Sequence, residues 1–572
     1  LLVDNPVPAV RAEALRICGL LWRDRAAVEA MATEAEQATH PNRQAFAAYL
    51  REVLPRWPAT MPATPAQWRD WYALIAGGDW KVYEEYERLV NPRPHPQYGV
   101  GSGPVGTEWG PNVRGGWADA RNTDNLRAMR EIAAYLFAET TTNETTRLVM
   151  KEKLRRTLVD YYRVGMGEWD SPTYHSPSLD TWVGLYDHAR DPEVRLIAKG
   201  VLDYLWTCAA LKFRGNAWGG PACRDYGTVA PGGEAADTSW IFYGDLATPP
   251  AHGKVSWVNQ ILSHYRPPLA VLALARRQFA KPCEILASHP AYQTWLPGKT
   301  EAPESHATLF YGQTFQVGSR ARASAGNING FRVLMDNATG DATVLSAAAG
   351  KGNLSVANDG NDRIAQYRNL VLYLNGTDPK APFRWATDRE IPHELVDGVL
   401  FLRNHRTWVA IRPLNLILDP QPSNAASELG LRGAGGLRPQ IFKAVGDGTR
   451  TVRGFAMELG EAGQTSYEQF KAAVRAKQTV VVDDAGKVTL TGSTGATVAM
   501  RLGADLPEVW RNGALHDWRQ HFDLWRPTTE SAPIRLGWKS GTLTVEAGGH
   551  RFVGSVDPEK LTYRFQNDEI KP

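Results

Sequence analysis

Residues 191–213 read DPEVRLIAKGVLDYLWTCAALKF, and this stretch decides how the first half of the chain folds. After an Asp191-Pro192 start signal, Val194, Ile197, Val201, Tyr204, Leu205 and Ala209 recur at three- and four-residue steps. That spacing predicts a helix over Pro192–Phe213 with one face buried. The same logic runs outward through Asn122–Glu139, Glu144–Arg163 and Ser178–Arg190, with Asn122 or Thr123 as candidate N-cap. Shorter helices are expected at Val10–Trp22, Arg43–Leu54 and Gln67–Ile75, and Pro267–Phe279 closes the set. A run of antiparallel helices forms a bundle, a solenoid or a closed toroid. The connections Thr140–Asn143 and Arg190–Asp191 are short, whereas Pro92–Arg121, Val164–Pro177 and Arg214–Arg266 are long and rich in Gly, Trp, Tyr, His and Arg. Alternate connections of an up-and-down chain emerge at one end, so the three long loops are expected on one face, where long loops usually carry function.

After Pro297–Ser305 the pattern becomes alternating and Gly-punctuated. Strands are expected at Thr314–Gly318, Gly330–Met335, Asn369–Leu374, Thr407–Arg412, Gly454–Leu459, Thr479–Val482, Lys487–Thr491, Thr542–Ala547 and His550–Ser555. Gly548-Gly549 marks a two-residue hairpin and Ser466–Ala476 an interrupting helix. Stacked antiparallel sheets account for this half.

The 572 residues, 43% hydrophobic and 22% charged, require two or more domains and exclude wholesale disorder. Lys and Arg total 64 against 61 Asp and Glu, so a net charge of +3 removes the main electrostatic argument for a nucleic-acid partner. No apolar run approaches the roughly 18 residues that cross a bilayer, so no membrane partner is expected. Cys18, Cys208, Cys223 and Cys283 are too sparse for a disulfide framework and form no CxxC pair, which argues against a zinc site. The aromatic excess, 20 Trp, 20 Tyr and 16 Phe, falls partly in Gly- and Pro-rich stretches where rings either stack on sugars or pin loops to the body.

The second long loop reads GEWDSPTYHSP over Gly167–Pro177 and concentrates Glu168, Tyr174 and His175. The bland alternatives are a helix-capping or salt-linked Glu168 and a His175 that satisfies a buried backbone group. The third loop carries Arg224 and Tyr226, then Trp240, Tyr243, His264 and Arg266. Arg224 offers a planar fork to a carboxylate, or pairs at the surface with Asp225 or Asp237. The first loop supplies Glu108, Trp109, Asn112 and Arg114. Asn, His, Tyr and Arg together, without a metal-ligand spacing or a nucleotide loop, suit elimination across the glycosidic bond of a uronic-acid polymer. A group that hydrogen-bonds the sugar carboxylate makes the C5 proton acidic, and a Tyr or His removes it. One phenol can then return a proton to the O4 leaving group.

A helical first half, a sheet-rich second half and this residue set resemble the polysaccharide lyases of the heparinase II/III, alginate and chondroitin/hyaluronate groups. Local support lies in GEWDSPTYH, in Arg224-Asp225-Tyr226, in Gln366-Tyr367-Arg368-Asn369 and in Trp408–Pro413. The resemblance implies an α+β multidomain chain, with an (α/α) toroid over residues 1–296 and an antiparallel β-sandwich over residues 304–572. It implies Asn122, His175 and Tyr226 or Tyr243 as catalytic, with Arg224 on the carboxylate. Glu168, Trp109, Trp169, Tyr174, Trp218, Trp240, His264 and Arg266 would bind the acidic polysaccharide. The adjacent Asn-His pair of some alginate lyases is absent, which leaves the neutralising residue open.

The rival reading is a glycoside hydrolase on the same helical scaffold, pairing Glu168 with Glu108, Asp170 or Asp225. No cofactor is expected beyond a structural divalent cation of the kind some sandwich-containing lyases hold, and spacing gives His175, His252 and His264 no support as its ligands. Asn358–Asp362 and Asp336–Asp341 lack the spacing of an EF-hand and read as turns between strands. The sequence opens on Leu1 with no signal peptide visible, and the expected location is secreted or periplasmic.

Overall fold

The computed structural model describes residues 22–39, 41–76, 124–225, 233–244, 256–290, 302–322, 328–349, 361–376, 382–425, 438–448, 450, 452–503, 506–528 and 533–570, with 8, 12, 15, 18 and 19. The expected helix Val10–Trp22 lies mostly outside them, as do Trp109, Asn122 and Tyr226. The chain is α+β and divides into two compact units, residues 1–157 with 184–198, and 158–183 with 199–572.

The first unit is helical. Its helices include Arg25–Glu36, Pro41–Val53, Pro65–Ala76 and Asp124–Thr141. Asp24 caps the first of these, its carboxylate accepting the Ala27 N–H at 2.8 Å. The apolar stripes converge on a core of Val28, Phe46, Leu50 and three indoles. Trp71 meets Trp57 and Trp68 edge to face, with centroids 6.1 and 5.3 Å apart. The helix that begins at Pro192 starts as its sequence requires: Asp191 accepts the Glu193 N–H at 2.9 Å, and Glu193 pairs with Lys151 at 2.7 Å.

The second unit holds most of the strands. Thirteen strands form one antiparallel sheet that runs from Leu416–Leu418 at one edge to Thr562–Glu569 at the other, and six form a second from Arg363–Tyr367 to His393–Val396. Alternate residues of both sheets fill one core: Phe315, Val317, Phe331, Val333, Phe383 and Trp385 from the large sheet, and Val371, Tyr373, Val409, Ile411, Phe455 and Met457 from the smaller. The hairpin between Thr542–Ala547 and His550–Asp557 turns on Gly548 and Gly549, whose φ of 58° and 77° glycine adopts at no steric cost.

Several elements differ from the sequence reading, helix Arg25–Glu36 among them. Cys283–His289, inside the stretch expected to be helical, is a strand of the large sheet between Ser305–Tyr311 and Trp525–Pro527. All seven of its residues are buried, so no alternation reveals it. The third long loop also contains two helices, Gly233–Tyr243 and Ser256–Leu262. Among the described residues, no helix is long and apolar enough to cross a membrane.

Candidate functional site

The large sheet supplies a platform for segment 213–225. Phe213–Arg214 and Ala217–Trp218 form a small hairpin turned by Gly215 and Asn216, both at positive φ. Beyond it the backbone lies flat on strand Phe315–Arg320: a Cβ at Gly318 would fall 1.9 Å from the Gly220 carbonyl oxygen. From the neighbouring strand, buried Arg332 donates to the Trp218 carbonyl at 3.0 Å and pairs with Asp225 at 2.7 Å. Arg214 reaches Asp336 at 2.6 Å. Arg277 closes the C-terminal end of helix Pro192–Lys212 by donating to the carbonyls of Ala210, Leu211 and Phe213 at 2.6, 3.2 and 2.8 Å.

The loop 164–177 hangs on this segment. The Trp218 indole donates to the Asp170 carbonyl at 2.8 Å, the Cys223 N–H to the Trp169 carbonyl at 3.3 Å, and Lys212 pairs with the Asp170 carboxylate at 3.0 Å. Burial pushes the Asp170 carboxyl pKa up while Lys212 draws it down. Trp169 stacks on His289 with centroids 4.3 Å apart. Trp169 and Trp218, expected to stack on sugar, are therefore buried loop anchors. Their apolar bodies fill the core while the Trp218 N–H satisfies a backbone carbonyl.

Two of the three long loops thus meet, and where they meet stand Arg224, Glu168 and Tyr174. The Arg224 guanidinium lies 3.3 Å from Glu168 and 4.4 Å over the Tyr174 ring. Glu168 is buried, whereas Tyr174 and Arg224 are half-buried. Arg224 and Asp170 both hold positive φ, 49° and 53°, a region that costs a non-glycine residue roughly 1–2 kcal/mol. Asp225, a candidate surface partner of Arg224, is instead committed to Arg332.

The remaining predicted residues take other places. His175 is fully buried, with Nε2 bonded to the Leu205 carbonyl at 2.9 Å, and burial pushes its pKa down to about 4. It is therefore a neutral imidazole, and only Nδ1 lacks a partner. The Tyr243 hydroxyl donates to the Trp206 carbonyl at 2.5 Å, and burial holds its pKa well above 10. Serving as a base would require breaking that bond. Trp240 is half-buried on helix Gly233–Tyr243, and His264 is exposed. Arg266 is exposed and donates to the nearby Ser263 and Tyr265 carbonyls at 2.5 and 2.6 Å.

One carboxyl escaped the sequence reading. Asp180, on helix His175–His188, accepts from Gln260 at 3.0 Å, and burial with the charge of Glu234 raises its pKa to about 7. Its only sequence signal was a polar position on a helix that otherwise buries Leu179, Trp182 and Val183. Among the described residues, no three His, Cys, Asp or Glu side chains are grouped to hold a metal ion.

Fold and cluster define an α+β multidomain protein whose loop-borne phenol, guanidinium and carboxylate share one place. No protein-family model matches the chain, and no curated protein matches it.

Proposed function

We propose that this chain is a polysaccharide lyase that cleaves a uronic-acid polymer by β-elimination, on an (α/α) toroid joined to an antiparallel β-sandwich. The observation that carries the reading is Arg224 poised between Glu168 and Tyr174 at the junction of two long loops. Arg224 receives the sugar carboxylate on its fork, which favours the enolate-like state, and Glu168 holds the guanidinium in place. Tyr174, half-buried beside it, takes the C5 proton and returns one to O4, the role first assigned to Tyr226 or Tyr243. His175 positions the loop rather than moving a proton. The substrate implies a secreted or periplasmic enzyme.

The test is the ultraviolet absorbance of the unsaturated uronate released from alginate, glucuronan, hyaluronan, chondroitin and heparin-type polymers. Tyr174→Phe should lower turnover by about 10²–10⁴-fold while polymer binding persists. Full activity in Tyr174→Phe and in Tyr226→Phe would remove the phenol mechanism.

Asp180 favours one second reading, a glycoside hydrolase. A half-buried carboxyl protonated near neutral pH suits a general acid, whereas Asp170 and Asp225 are tied to Lys212 and Arg332. That reading requires new reducing ends without the unsaturated chromophore, and their loss in Asp180→Asn.

A further inference from the structure

A cavity of about 650 Å³ opens in the sheet-rich unit, away from the Arg224 cluster in sequence, and its lining includes Pro303, His306, Leu515, His516, Trp518 and Phe522. Its size falls within the range of small-molecule sites. The short turn Trp518–His521 builds one wall, with the Trp518 N–H donated to the Pro507 carbonyl at 2.9 Å. Its apolar surfaces face solvent: Phe522 is 41% and Leu515 63% exposed, and Trp518 is half-buried.

The polar groups beside these walls form a chain with one open end. His521 Nδ1 lies 3.4 Å from the Ala287 carbonyl, which can only accept, so that nitrogen carries the proton and His521 Nε2 is a lone pair. That lone pair accepts from His516 Nε2–H at 2.9 Å. His516 Nδ1 is then a bare acceptor, and among the described residues no protein group bonds to it. His306, 7% exposed, lines the same cavity with its Nδ1 unpartnered. Burial, reinforced by Arg511, pushes His516 down to about 3, and burial with Arg320 pushes His306 down to about 4, so both rings stay neutral. At the rim, Arg519 and Asp517 answer each other at 2.8 Å.

A bare acceptor calls for a ligand that donates, and a carboxylate would set its own lone pairs against it. Indole and phenyl walls call for a face of C–H groups. A neutral sugar ring has both. We propose that this cavity binds a neutral pyranose, its C–H face against Trp518 and Phe522 and a hydroxyl donated to His516 Nδ1. This second site stands whether or not the Arg224 cluster turns over a polymer.

Saturation-transfer NMR and calorimetry on the full chain, with methyl β-glucopyranoside, cellobiose, glucuronate and Zn²⁺ as separate probes, test it. The neutral sugars should bind saturably, and glucuronate should displace them at least tenfold less effectively than they displace one another. Trp518→Ala and His516→Phe should each weaken the neutral sugars tenfold or more, while Arg224→Lys leaves that binding intact. Should His516→Phe fail to fold, Leu515→Arg at the exposed rim blocks the mouth and should abolish binding. The proposal falls if no neutral sugar binds, if Trp518→Ala and Leu515→Arg bind as the parent does, or if glucuronate displaces the neutral sugars as effectively as they displace one another. It falls equally if His516→Phe removes Zn²⁺ binding and no sugar binding, which would mark a cation site.

Discussion

Two arginine–aspartate pairs of nearly equal length sit in very different surroundings. Arg332 and Asp225 meet at 2.7 Å with side chains 1% and 0% exposed, whereas Arg519 and Asp517 meet at 2.8 Å with 81% and 42% exposed. The first pair fastens the Arg224 segment to the sheet. The second decorates the rim of a cavity where His516 Nδ1 is an unclaimed acceptor. The difference teaches what burial does to such a pair: around Arg224 most polar groups are used in holding loops, and the proposed lyase reading assigns the chemistry to the half-buried Tyr174 and Arg224. At the cavity the charged groups satisfy each other outside and the neutral imidazoles remain open.

The largest expected effect breaks the buried pair. Asp225→Ala leaves Arg332 charged, desolvated and short of its main partner, which should cost about 3–5 kcal/mol. Denaturant unfolding of the purified chain reads this as a lowered midpoint at unchanged slope. A loss too small to measure would show that water reaches Arg332, and the platform argument for Arg224 would go with it.

Acid probes the same fastening more gently. His175 has a folded pKa of about 4 against an ordinary 6.5. Between those values the unfolded chain binds a proton that the folded chain refuses, so stability rises with pH across the window. The contribution is complete above pH 6.5 and lost as pH falls toward 4, a total of about 3 kcal/mol from this one group. His306 and His516 are depressed by the same cause and add to the slope in the same direction. Replacing His175 by Gln, whose amide can still donate to the Leu205 carbonyl, should flatten the pH dependence of unfolding. An unchanged slope would mean that His175 is solvated.

How much of this could be read in advance follows from which forces are local. Glu144–Arg163 and Thr542–Ala547 appear where periodicity put them: the strand alternates, and the helix buries Met150, Leu154 and Leu158 along one stripe before its last turns are covered all round. Ser466 caps helix Tyr467–Lys477 through a reciprocal bond with Gln469, close to the expected Ser466–Ala476. Cys283–His289 was hidden because both of its faces are covered, and even Glu284 is buried, paired with Arg511 at 3.1 Å. The helices Gly233–Tyr243 and Ser256–Leu262 were hidden among Gly, Pro and Trp that read as a loop. For the cluster, residue type singled out Glu168 and Tyr174 on one loop and Arg224 on another, but the contact that joins them was not legible, since the protein partners expected for Arg224 were Asp225 or Asp237. The burial of His175 was not legible either, because its partner carbonyl at Leu205 lies thirty residues away and only the folded backbone brings it near.

The smallest expected effect completes the contrast between the two pairs. Asp517 has its carboxyl held down to about 2, chiefly by its hydrogen bond to Arg519, which taken alone would point to a strong stabilising contact. Two facts work against that. The groups are two residues apart in sequence, so the unfolded chain keeps them close and retains part of the attraction. Both are also open to solvent and salt, which screen it further. Arg519→Ala should therefore leave the unfolding transition indistinguishable from that of the parent chain, where Asp225→Ala moves it far. If the two variants cost the same, burial is not what separates the pairs, and the division into a fastened cluster and an open cavity loses its physical basis.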